Sequence, residues 1–304
     1  MTHPSRILLA AALTFAATSA FAADGTFDKT LSLTGTPTVS ISTGSGYVHV
    51  FPGSDSQLHI VGHVHSSNSW FGADAEARVK QIVAAPPIVQ SENIVTIGQN
   101  HGDSDLFRNI SIDYDVTTPA STALTAKSGS GDLTLGGILG QVTANTGSGS
   151  IKADNIGGNS HFETGSGSIH ALNVHGAATI QSGSGNLELS LSAPGDVTAK
   201  TGSGSVHIDG VNGGLRASSG SGSIEAAGNL TSEWRLDSGS GSIHAQLDPN
   251  AHFNVNADTG SGSVGVSRPI LMQGSLNKHH ISGTVNGGGP TLRASTGSGN
   301  ITIR

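Results

Sequence analysis

Among the residues able to bind a metal or move a proton, five recur at one spacing. His170, Glu188, His207, Glu225 and His244 follow one another at intervals of 18, 19, 18 and 19 residues. Imidazole nitrogens and carboxylate oxygens are what a zinc site uses when thiolates are absent, and this chain has no cysteine. Stacked strands would bring such side chains within about 4.8 Å of one another. At that spacing His170, Glu188 and His207 could serve as zinc ligands. The same column equally makes opposite-charge ladder pairs on a solvated face, each worth roughly 0.2–1 kcal/mol, and needs no ion. The expectation is a polar face with no metal and no cofactor, His170, Glu188 and His207 being the ligands to test.

Other candidates are weaker. His279 and His280 read as a solvent-exposed loop, and Trp70-Phe71 as an anchor that packs a cap. Gly-Ser-Gly flanked by strands is not a phosphate loop, which opens a helix. A calcium-binding Gly-rich roll needs an acid after its glycines, and only Asp132 stands near that position. Glycosidases and lyases need paired carboxylates or a metal-activated base. The acids are spread singly along the repeat: Asp154, Glu163, Glu188, Asp209, Glu225, Asp237 and Asp258. Asp237 and Asp258 share an outward column on neighbouring coils, and ion pairing across strands with Arg235 accounts for them. A threonine column (Thr125, Thr143, Thr179, Thr198) resembles an ice-binding array. It is interrupted by His161, Arg216, Arg235 and Arg293, whose long side chains roughen the plane. No catalytic residue is expected, and the chain is read as not an enzyme.

These columns exist only if the chain coils. Gly-Ser-Gly begins at residues 44, 129, 147, 165, 183, 202, 220, 239, 260 and 297. From 129 onward the intervals are 18 or 19, then 21 and 37, the last being read as two periods with one motif lost. Apolar residues alternate on both flanks. Leu124, Val142, Ala178, Val197, Leu215 and Trp234 stand five before the first glycine, and Leu133, Ile151, Ile169, Leu187, Val206 and Ile224 four after it. Period-two alternation reads as a half-buried strand on each side of the bend. A second turn carries another apolar residue, such as Ile138, Ile156, Val174 or Val211. One coil cannot bury its own face, so coils must stack and share a core. The predicted fold is all-β, a parallel β-helix or β-solenoid with 18–19-residue rungs. A right-handed coil is favoured because parallel crossovers take that hand.

Residues 1–22 read as a signal peptide: Arg6, an apolar run from Ile7 to Ala17, and Ala20-Phe21-Ala22 as a cleavage site. Residues 23–120 read as N-terminal rungs with a helical cap, the helix running from Ala73 to Val83 and ending before Pro86-Pro87. Residues 121–304 are the Gly-Ser-Gly solenoid. No later segment is apolar over a membrane-spanning length. A formal charge of −7 without a basic cluster argues against nucleic acid as a partner.

The repeated Thr-Gly-Ser-Gly-Ser-Ile core, the early unit Gly44-Ser-Gly-Tyr-Val-His-Val50, the segment Ile112 to Pro119 and the ending from His280 to Ile301 carry a resemblance. The chain resembles the bacterial "putative adhesin" family of β-strand-repeat proteins, a domain of unknown function related to auto-transporter adhesin heads. That resemblance implies a stacked β-fold and offers no catalytic residues. The expected role is a non-catalytic envelope or extracellular scaffold, periplasmic, surface-associated or secreted, whose partner is an envelope protein or a glycan. The alternative is a ligand-binding protein with its glycan or metal site on the cap or the His/Glu column.

Overall fold

The computed structural model describes residues 24–66, 72–98, 105–272 and 277–304. The predicted leader and Trp70-Phe71 lie outside these residues. Most alternating stretches fold as short strands, two to a repeat, while Val206–Ser219 and Ile224–Ser238 each run unbroken from one bend to the next. Val142–Thr146 and Ile151–Ile156 flank the bend at Gly147, and Ser160–Thr164 and Ile169–Val174 the bend at Gly165. Strands pair in parallel with their equivalents one repeat away: Val142 lies opposite Leu124 and Ser160, and Ile151 opposite Leu133 and Ile169. The product is an elongated, mostly parallel, all-β stack that is not closed on itself. The inward positions read from the sequence are buried in one continuous core, Trp234 and Phe162 being its largest members in the repeats.

The bends are held by close approach rather than by unusual backbone angles. A Cβ on Gly147 would stand 2.4 Å from the carbonyl oxygen of Gly129, and one on Gly149 2.1 Å from that of Gly131. No side chain fits there. A bend this tight made with glycine could also use left-handed backbone, which glycine adopts without a Cβ penalty. In the repeats it occurs mostly at the second turn, in Asn155 (φ 54°), Asn173 (φ 52°) and Gly210 (φ 74°), where asparagine tolerates it.

The residue just before each bend supplies a feature that strand periodicity does not reveal. Thr146, Thr164, Ser182, Thr201, Ser219 and Ser238 are all buried. The Thr164 hydroxyl donates to the Gly149 carbonyl of the neighbouring coil (2.8 Å) and accepts from the Gly167 N–H of its own bend (3.1 Å). Thr146 and Ser182 repeat the pattern. Each hydroxyl thus satisfies two backbone groups that the bend would otherwise leave buried without partners.

Coils stack in sequence order only through the middle of the molecule. At one end, Thr38–Thr43 lies beside Ala123–Ser128, and Val48–Pro52 beside Leu133–Gly136. There the sheet continues through Ile110–Thr118, then antiparallel through Gln57–Ser66 and Asp24–Ser32. The α-helix Gly72–Ala84 closes this end, burying Ala75, Val79 and Ile82. It sits so near the first strand that a Cβ on Gly25 would meet Val83 at 2.7 Å and Val79 at 2.8 Å.

At the other end the expectation of one motif-less coil between Gly260 and Gly297 is corrected. Thr291–Ser298 lies between Ile224–Ser238 and Phe253–Ser261, parallel to both, and Ile301–Ile303 lies between Ile243–Leu247 and Val264–Val266. A late segment therefore occupies an interior position. The hydroxyl contacts follow the same order: Thr296 donates to Gly241, and Thr259 to Gly299. Among the described intervening residues there is no further coil. His280–Val285 runs antiparallel along Phe253–Ser261 and covers its outer edge, which an exposed parallel end requires.

Candidate functional site

With alternate residues of every strand buried, the remaining side chains form outward ladders, and the chemistry of the molecule lies on them. The predicted His/Glu column is in register: Lys152, His170, Glu188, His207, Glu225 and His244 stand opposite one another in turn. Its side chains sort into pairs. His170 Nδ1 lies 2.7 Å from Glu188 Oε2, and His207 Nδ1 3.2 Å from Glu225 Oε2. His207 Nε2 also reaches Asp209 at 2.9 Å. Glu188 thus turns to His170, while His207 turns the other way. Among the described residues no group of three or more His, Asp or Glu side chains is arranged to hold a metal ion. The column ends at His244, followed by Thr302 and only then Gly265. An open concavity of about 320 Å³ lies over His207, Glu225, His244 and Arg304.

Asp132, the acid weighed for calcium, accepts a hydrogen bond from the Ser150 N–H (2.7 Å) and so ties one coil to the next. Of the histidine pair, His280 begins a strand rather than lying in a loop and stands opposite Asp258. Asp237 and Asp258 are not neighbours: Ser295 from the inserted segment stands between them. Arg235 finds its carboxylate two residues along its own strand, with Nε 2.7 Å from Asp237. That hydrogen bond, with the charge of Asp237, holds the guanidinium above its ordinary pKa.

A second polar cluster escaped the sequence reading. On the outward face of the N-terminal sheet, Asp115 meets His49 Nδ1 (3.0 Å), His63 Nε2 (3.2 Å) and the Tyr47 hydroxyl (3.2 Å). His65 bridges Asp24 (3.1 Å) and Asp113 (3.3 Å), and His59 reaches Asp28 (2.9 Å). Partial burial, the Asp115 charge and its hydrogen bond push the Tyr47 phenol up to about 12. The only signal in the sequence was the alternation His59, His63, His65 along one strand. Its acidic partners lie on strands remote in sequence.

A rod of stacked strands, buried on alternate residues and displaying ladders of paired polar side chains on its outer face, is a β-solenoid-like protein. The chain belongs to the Toastrack family, DUF4097, whose model matches residues 38–304. No curated protein matches it. Among solved structures it is similar to a "putative adhesin" from Bacteroides fragilis, at 13% identity over 92% of this chain and 97% of that one (TM-score 0.40). A "putative cell adhesion protein" from Clostridium sporogenes aligns at 11% identity over 92% and 99% (TM-score 0.21). A "putative lipid binding protein" from Parabacteroides distasonis aligns at 13% over 92% and 96% (TM-score 0.34).

Proposed function

We propose that this protein is a non-catalytic, exported, adhesin-like scaffold of the cell envelope or extracellular space. In this reading its coils of 18–19 residues wind right-handed, and its outward ladders bind an envelope protein or a glycan. The observation that carries the reading is the pairing of ladder acids with basic side chains. Glu188 is held by His170, Glu225 by His207, Asp237 by Arg235 and Asp115 by two histidines. General acid–base work on a sugar needs two carboxyls facing one bond. Carboxylates engaged one by one along a rigid rod suit recognition by many weak, regularly spaced contacts.

The test is a glycan array probed with labelled residues 23–304, followed by chain-length analysis of any glycan bound. Saturable binding that leaves the glycan intact is expected. Shortening of the bound glycan would overturn the non-catalytic reading. The concavity over His207, Glu225 and His244 supports a second reading, a discrete ligand site. Binding abolished by His207→Ala and Glu225→Ala alone would favour it.

A further inference from the structure

The inserted segment also changes which charges meet. Reading across the strands, one outward column runs Ser40, Thr125, Thr143, His161, Thr179 and Thr198. It continues through Arg216, Arg235 and Arg293 to Asn256. In sequence order Arg235 would have faced Asn256. The insertion places Arg293 there instead and sets three guanidinium groups on three successive strands, all exposed.

Like charges directly opposite on neighbouring strands repel, so this arrangement works against the fold. Two of the three are partly compensated: Arg235 by Asp237, and Arg293 by Glu233 at 2.8 Å. Arg216 has no ion pair among the described residues, and Lys200, outward on the preceding strand, adds a further positive charge. Two adjoining open concavities of about 310 and 220 Å³ share Arg235 and Arg293 in their walls, which Glu233, Asp237 and Asp258 also line. In a chain of net charge −7, and with Asp237 and Glu233 engaged by Arg235 and Arg293, the unpaired Arg216 with Lys200 nearby makes this row the place where an anion would be attracted.

We propose that this arginine ladder binds a linear acidic polysaccharide lying along the rod, its carboxylate or sulfate groups taken by the guanidinium forks. The inference rests on the scaffold reading above and gives it a ligand class. Arginine binds such planar oxyanions through two parallel N–H donors. The ladder repeats about every 4.8 Å. Duplex DNA carries a charge about every 1.7 Å of its axis, far denser than this row and poorly suited to a protein that is negative elsewhere. Beyond the arginines the same column offers threonine hydroxyls on one side and Asn256 on the other, and these suit the hydroxyls of a sugar chain.

The experiment is affinity electrophoresis of the full chain in gels containing polygalacturonate, neutral dextran or duplex DNA, with flotation on phosphatidylglycerol vesicles alongside. Retardation by polygalacturonate and not by dextran is expected. Arg216→Gln should weaken it roughly threefold, and the triple variant R216Q/R235Q/R293Q roughly thirtyfold or more. Lys152→Gln, on another column, should leave it unchanged. Because Arg216 makes no ion pair, R216Q is not expected to disturb folding, and it decides the matter if the triple variant fails to fold. Three results would overturn the proposal: no retardation of the natural chain, equal retardation of the arginine variants, or tighter arginine-dependent binding to DNA or vesicles. Should the array find a neutral glycan while polygalacturonate is ignored, the ladder proposal falls and the scaffold reading stands. Arginine-dependent retardation with a bound glycan cleaved on the array would do the reverse.

Discussion

The middle of the rod and its C-terminal end are built from the same repeat, yet they assemble differently. Between Ala123 and Leu247 every coil lies on its sequence neighbour, at offsets fixed by the repeat. At the C-terminal end Leu292 lies between Trp234 and Val255. The repeat decides which residues face inward and how the bend is made. It does not decide which coil sits on which. Leu292, Ala294, Thr296, Ile301 and Ile303 hold the same motif places, with the same kinds of residue, as the coils of the middle, so the motif alone does not mark out their slot.

The comparison can be broken most directly by removing the inserted coil. A chain ended after Val285 loses the burial of Leu292, Ile301 and Ile303, at about 1.5–3 kcal/mol each. It also leaves an unfilled slot beside Trp234. We expect a loss of more than about 5 kcal/mol, with hydrogen exchange showing the C-terminal strands open while those between Ala123 and Ser219 stay protected.

Equivalent glycines give the next test. Gly44 and Gly147 hold the same place in the motif, but a Cβ on Gly44 would meet nothing within 4 Å. Gly147→Ala should cost about 3 kcal/mol through backbone overlap, and Gly44→Ala close to nothing, as read by urea denaturation.

A smaller effect probes the hydroxyl relay. Thr164→Val leaves the Gly149 carbonyl and Gly167 N–H without their partner and should cost about 1–3 kcal/mol, whereas Thr164→Ser should be close to neutral.

The smallest effect contrasts the N-terminal part with residues 121–304, which contain neither of the two tyrosines. Both are raised, Tyr47 from 10.0 to about 12 and Tyr114, chiefly by burial, further still. The folded protein keeps these protons where an unfolded chain has lost them. Their contribution to stability is therefore complete below pH 10 and lost as pH rises toward 12 and beyond. A tyrosinate absorbance titration should show no step near pH 10, and Tyr47→Phe should remove the step near pH 12.

The inward columns were legible because period-two alternation repeats many times, so Leu133, Ile151 and Ile169 declare one face together. The helix was legible from Ala75, Val79 and Ile82 on one stripe. The buried hydroxyls stood in plain view before every bend, but Ser and Thr are polar and read as part of a surface turn. The Asp115 cluster was hidden because His49 and His63 reach it from two other strands. The arginine ladder was hidden by its order: Arg293 is far from Arg235 in sequence and adjacent only after insertion.

That insertion has a consequence for biosynthesis. Phe253–Ser261 precedes Thr291–Ser298 in the chain, so wherever the chain emerges N-terminus first the outer strand is available before the one that belongs inside it. The edge beside Trp234 is then open to either strand, and docking of Phe253–Ser261 there would exclude Thr291–Ser298 from its place. Maturation of this end therefore depends on timing as well as on affinity, and a chaperone that shields the waiting edge would raise the yield of correctly threaded molecules.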